Sequence, residues 1–206
     1  MEAAGKILGI RAFHWLNQKD TKYGTDIREP LDTAWETKYI EDKLTEMVNK
    51  DKYDFLFCIL PEANTHAHHQ AATLLALRAF EKTQHKPIVL GVSNSSLADT
   101  SKMSFSGLHL YPQTNIFSTK SAFKIDRNQS FGFRNKLNYK IIVNWIIAEY
   151  KSQGAFQTTM NKGDFEEFWF FDINDASKFI YWELFIEKLN SSLPGRTQEI
   201  FSITSQ

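Results

Sequence analysis

Three of the chain's six histidines fall in one short stretch, Thr65-His66-Ala67-His68-His69-Gln70, directly after Leu60-Pro61-Glu62-Ala63-Asn64. Imidazole changes charge near neutral pH and is a frequent metal ligand. His66 and His69 are spaced i, i+3, so once a helix has begun they project from one of its faces. The positive end of that helix disfavours imidazolium, and the neutral ring is the form that binds a metal. A plainer reading stands beside this one: a polar helix start whose histidines cap backbone amides and meet solvent. A structural metal held by His66, His68 and His69 together is the weakest reading, because adjacent helical residues diverge and cannot all face one tetrahedral ion.

The flanking elements set where these rings stand. Tyr53 to Leu60 is short, aromatic and nearly uncharged, which predicts a strand buried on both faces of a parallel sheet. Ala71 to Phe80, continuing through Lys82, is a helix pattern. The histidines then lie at the carboxyl end of a strand, where α/β sheets place their ligand sites. Ile7 to Ala12 reads as an earlier strand, after the tail of a helix at Met1 to Gly5. Asn17 to Pro30 is a polar loop too long for a simple connection, the kind that carries function or moves. Thr33-Ala34-Trp35-Glu36 reads as a capping box opening a helix on Ile40, Leu44, Met47 and Val48 that ends near Asp51. Pro87 to Val92 is a third buried strand. The resulting β-α-β-α-β alternation implies an α/β fold with right-handed crossovers and a mostly parallel sheet.

The remainder of the pattern is looser. Ser93 to Ser106 reads as loop and Leu108 to Lys124 as short extended runs. A helix is expected from Lys136 to Gln153 with Gly154 as its C-cap, then a strand at Phe165 to Ile173 and a helix at Ser177 to Leu189. The aromatics Phe165, Phe168, Trp169, Phe170 and Phe171 read mainly as core. One domain over residues 1–190 is expected, with a fraying tail at 191–206.

Composition narrows the function classes. At 206 residues, 42% hydrophobic and 23% charged, the chain can bury a sizeable core. Lys+Arg and Asp+Glu both number 24, so no basic footprint marks a nucleic-acid partner. The single Cys58 sits in a presumed core strand and is expected to be a small hydrophobe in a reducing, cytoplasmic compartment. No long apolar run predicts a membrane span, and the N-terminus lacks signal-peptide features. The sequence leaves the oligomeric state open.

Taken together, Tyr53-Asp54-Phe55 through Leu60-Pro61, then Thr65-His66-Ala67-His68-His69-Gln70-Ala71-Ala72, and Lys86-Pro87-Ile88-Val89-Leu90-Gly91 resemble the PIG-L (LmbE-like) family of zinc-dependent N-deacetylases. Ala148-Glu149-Tyr150-Lys151-Ser152-Gln153-Gly154 is similar to that family's C-terminal motif, and Ile7-Leu8-Gly9-Ile10 with Asp20 to its second strand and following loop. The resemblance implies a Rossmann-like three-layer fold and removal of an N-acetyl group from an amino sugar or related amide. It implies zinc as cofactor, with His69 a metal ligand and His66 a catalytic histidine in the substrate pocket. His68 stands where many members have aspartate. Tyr150 takes the place of a catalytic histidine, and Asp20, Lys151, Ser152 and Gln153 fall on the substrate side.

The family's first motif, Ala-His-Pro-Asp-Asp-Glu after the first strand, has no counterpart in this sequence. The first strand is therefore expected to be missing, together with two zinc ligands and the general base. The chain alone is then expected to bind zinc weakly and to release no acetate. The alternative is a non-catalytic relative that binds a sugar or a protein partner on the same surface. A further expectation is that His66 and His69 share a concavity with Tyr150 to Gln153.

Overall fold

The computed structural model describes residues 1–99 and 105–191. In chain order the elements are α1 (Glu2–Ile7), a π-helical turn (Glu29–Ala34), α2 (Thr37–Asp51), β1 (Phe55–Ile59), α3 (Ala67–Lys82) and β2 (Ile88–Ser95). After a 3-10 turn (Pro112–Thr114) come β3 (Phe123–Asp126), β4 (Ser130–Phe131), a second 3-10 turn (Phe133–Asn135), β5 (Leu137–Asn138), α4 (Tyr139–Glu149), α5 (Gly154–Gln157), β6 (Phe165–Phe170) and α6 (Lys178–Ser191). The fold is mixed α/β. One sheet has the strand order β1-β2-β6-β3, and β4 pairs antiparallel with β5. β1 and β2 are parallel, in register from Phe55 with Ile88 to Ile59 with Val92. Among the described residues no helix is long and apolar enough to cross a membrane.

The chain divides into two compact units. One holds Met1–Asn17, the segment that starts at Ser93, and Lys124–Glu167; the other holds Gln18–Val92, the segment that ends at Phe123, and the segment that starts at Phe168. In the second unit, α3 covers one face of the sheet, with Leu77 and Phe80 against Cys58, Leu60, Val89, Trp169 and Phe171. α6 covers the opposite face, where Trp182 packs on Phe55, Phe168, Phe170 and Phe123. α2 lies along α3, and Glu41 on α2 pairs with Lys82 and Arg78 on α3. The apolar period predicted for α2 is realised, with Ile40 and Val48 buried.

In the first unit α1 packs on α4. Asn138 caps α4 by accepting the Ile141 N–H at 3.0 Å. Arg127 pairs with Glu166 and Lys140 with Asp164, both at 2.7 Å.

Four expectations are corrected. Ile7 to Ala12 is not a strand: α1 runs through Ile7 and closes in a Schellman motif, with Gly9 at φ +72°, its N–H on Lys6 O and the Ile10 N–H on Gly5 O. The parallel trio of strands is therefore reduced to β1 and β2. The capping box at Thr33 does not form, because the Thr33 hydroxyl donates within the π turn to Glu29 O and the Glu36 N–H is taken by Gln18 Oε1 at 2.7 Å. α2 consequently begins at Thr37.

β1 is an edge strand rather than one buried on both faces, and it leaves Phe57 53% and Ile59 50% exposed. Gly154 opens α5 instead of capping α4, which stops at Glu149. The Gln157 side chain explains the stop, since its Nε2 donates to two carbonyls at the end of α4, Ile147 O at 2.7 Å and Tyr150 O at 3.1 Å. Asn190 and Ser191 belong to α6, and the expected fray at 192–206 lies outside the described residues.

Candidate functional site

The site is built where β1 gives way to α3. The strand is carried one residue further by the Leu60 N–H, which donates to Val92 O at 2.8 Å. A tight turn follows, with the Thr65 N–H on Glu62 O, and the buried Gln70 side chain reaches back to donate to Thr65 O at 2.6 Å. This bond fixes the turn against the helix it precedes. His66 is the N-cap residue, extended at ψ 135°, and its carbonyl accepts from the N–H groups of His69 and Gln70. Its side chain makes no capping bond. The first N–H groups of a helix have no partner within it, and that of Ala67 donates to Gly24 O at 2.8 Å on the long loop.

The three imidazoles form one cluster. The His66 ring lies 4.4 Å from that of His68 and 5.7 Å, edge-on, from that of His69. Tyr23 stacks on His66 at 5.1 Å, 12° from parallel, while its hydroxyl donates to Asn64 O at 3.3 Å. His66 Nε2 is buried and, among the described residues, has no hydrogen-bond partner. His68 is 8% exposed. Its Nδ1 is 3.3 Å from Asp20 Oδ1, its Nε2 is 2.8 Å from Thr21 Oγ1 and 3.5 Å from Glu29 Oε2, and Trp35 tilts against its ring. His69 is exposed. Partial desolvation, followed by the charges His66 and His68 can carry, holds its pKa below the ordinary imidazole value.

Of the residues singled out in the sequence, His66, His69 and Asp20 come together around the first turn of α3. Asp20 is turned toward His68, with its side chain 91% exposed. Tyr150, Lys151, Ser152 and Gln153 belong to the other unit, at the connection from α4 to α5. There the Tyr150 ring meets Phe156 edge-on at 4.9 Å, the Gln153 N–H donates to Tyr150 O, and Lys151 pairs loosely with Glu149 at 3.6 Å. Sequence reasoning missed Thr21, Tyr23, Glu29 and Trp35, which surround the histidines. For Thr21, Tyr23 and Glu29 the signal was the length and polarity of the loop; Trp35, read as part of a capping box, carried none.

A cavity of about 350 Å³ opens beside the histidine segment, lined by Glu62, Ala63, Asn64, Phe105, Ser106 and Gly107. Its lining residues include one aromatic, a carboxylate, an amide and a hydroxyl.

A catalytic zinc takes about three protein ligands. Among the described residues no group of three or more His, Cys, Asp or Glu side chains is arranged to hold a metal ion, and both nitrogens of His68 already face side chains of the loop. The residues present therefore do not fit a zinc centre by themselves. Comparison with protein-family models, with curated proteins and with solved structures finds no match to this chain.

Proposed function

We propose that the start of α3 is the histidine-bearing part of a PIG-L-type hydrolase site in a Rossmann-like three-layer fold, acting on an N-acetylated amino sugar or related amide. The observation that carries this reading is the His66 and His69 pair at the carboxyl end of β1. One ring has a buried nitrogen with no partner among the described residues, and the other is biased toward the neutral form. In this reading His69 is a metal ligand and His66 a catalytic histidine that faces substrate, Tyr150 takes the place of the family's catalytic histidine, and Asp20, Lys151, Ser152 and Gln153 have substrate-binding roles. Two further zinc ligands and the base have, in this reading, no counterpart in this sequence, and the chain alone is inactive. We place the protein in the cytoplasm, with a small-molecule substrate and no nucleic-acid partner.

Zinc stoichiometry after dialysis, measured beside acetate release from N-acetylglucosamine, tests this. Weak zinc uptake that His69→Ala abolishes, with no acetate released, is the expected result. Fusing a strand that ends in His-Pro-Asp-Asp to the N-terminus should raise zinc uptake to one per chain. Uptake indifferent to His69→Ala, or robust acetate release by the unmodified chain, would count against it.

The cavity favours a second reading, a module that binds without catalysis. An aromatic face flanked by hydrogen-bonding groups suits a sugar ring. Amide shifts confined to Glu62, Asn64 and Ser106 on adding N-acetylglucosamine to the metal-free chain would favour it over the first.

A further inference from the structure

The loop in front of the histidines has few apolar anchors. Lys19, Asp20, Lys22, Tyr23, Thr25 and Asp26 are all exposed, and segments held mainly by polar contacts open at the low end of a protein's stability range. Its attachments are specific, however. Gly24 O accepts the Ala67 N–H, Lys19 O accepts the Trp35 indole N–H at 2.9 Å, and the Tyr23 hydroxyl reaches Asn64 O. Gln18 Oε1 accepts the Glu36 N–H, and a further attachment is to His68, a buried ring whose two nitrogens face Asp20, Thr21 and Glu29 across a sequence separation of 47 residues for Thr21. Tyr23 lies over the His66 ring, and His66 Nε2 is buried without a partner among the described residues.

We infer that residues 18–29 form a strap that closes over His66 and that His68 is its latch. A ligand reaches His66 Nε2 only when the strap lifts. Lifting breaks the Thr21 and His68 contact, the stack of Tyr23 on His66 and the Gly24 and Ala67 bond together. His68 thereby acts as a positioning residue, fixing what covers His66 without itself facing a ligand. The inference stands independently of whether the site hydrolyses an amide.

The Ala67 N–H is the sharpest reporter, because nothing inside α3 can bond it. Its exchange with deuterium reads strap opening, as does exchange of the Trp35 indole N–H, while the amides of Leu74 to Leu77 report the helix as a whole. Access to His66 is read separately by acylation with diethyl pyrocarbonate and mass spectrometry, with exposed His69 as internal reference.

In the full chain, Thr21→Val should speed Ala67 and Trp35 indole exchange about three- to tenfold, the effect of losing one hydrogen bond. His66 acylation should rise in proportion, with Leu74 to Leu77 unchanged. His68→Ala should exceed this, and His68→Gln, which keeps a donor and an acceptor on the side chain, should recover part of the loss. If His68→Ala loosens all of α3, Thr21→Val decides alone. Unchanged Ala67 exchange and unchanged His66 acylation in Thr21→Val would overturn the latch.

Discussion

The side-chain amide of Asn174 pairs with the backbone of Val89 in both directions: Oδ1 accepts the Val89 N–H at 2.7 Å and Nδ2 donates to Val89 O at 2.8 Å. Val89 is fully buried in β2, and β6, its neighbour in the sheet, ends at Phe170. Asn174 thus supplies from a turn the two bonds that a longer β6 would have made. Asn174→Ala strands a buried donor and a buried acceptor, each costing about 1–3 kcal/mol when left without a partner. A urea unfolding curve should therefore show a loss of at least about 1 kcal/mol. Asn174→Asp keeps the acceptor but turns an anionic oxygen toward Val89 O, and should be no better. An unchanged midpoint for both variants would show that water takes over these bonds.

Gly91 marks the tightest packing between β2 and its surroundings. A Cβ at this position would meet Leu60 Cδ1 at 2.6 Å and Phe171 Cζ at 3.1 Å, and both side chains are almost wholly buried. Neither can retreat into solvent. Gly91→Ala should cost about 1–3 kcal/mol by overpacking, read as a fall in the thermal midpoint. The variant trimmed on both sides, Gly91→Ala with Leu60→Val, should recover part of the loss, and a failure to recover would place the strain in the backbone instead.

How much of this was legible in the sequence depended on the range of the interaction. α2, α3 and α6 were readable because an apolar period of a helix is local, and β1 and β2 because their apolar runs are bounded by turn residues. The place of β1 at the sheet edge was not readable, since an apolar run looks alike in the centre and at the edge. Ile7 to Ala12 has strand-forming residues, yet Gly9 allows the positive φ that ends α1 there, and a local propensity yields to that closure. The position of the histidines between β1 and α3 was visible. The residues that hold them were not, because Thr21, Tyr23 and Trp35 reach His68 and His66 across the fold rather than along the chain.

Cys58 follows from burial alone. Enclosure in the core under α3 pushes its thiol up to about 12, and the thiolate is the reactive form. At pH 8 a free cysteine with a pKa of ~8.5 is partly thiolate, so the native protein should react with an aromatic disulfide reagent about a thousandfold more slowly. In denaturant one thiol per chain should titrate at once. Rapid reaction of the native protein would mean that β1 opens far more readily than its packing implies.

Asp164 makes the stability of the first unit depend on pH. Lys140 Nζ donates to its Oδ1 at 2.7 Å, the Leu97 N–H to its Oδ2 at 2.9 Å, and Asn128 Nδ2 to Oδ1 at 3.2 Å. These bonds, Lys140's first, lower its pKa to about 2, against ~3.9 for an unperturbed aspartate. The folded state therefore holds this proton less tightly than the unfolded chain does. Its contribution is fully present above the unfolded value and is lost as pH falls from about 4 through about 2. Asp164→Asn keeps an acceptor for Leu97 but not the charge that faces Lys140. The variant should be less stable than wild type by a constant amount from pH 7 down to about pH 5. Below that the gap should close, as wild-type Asp164 itself becomes neutral. Urea midpoints of the two proteins, compared at each pH where both still fold, measure it; a gap that stays constant to pH 3 or widens on acidification would show that the carboxylate's charge is not what the surrounding donors stabilise.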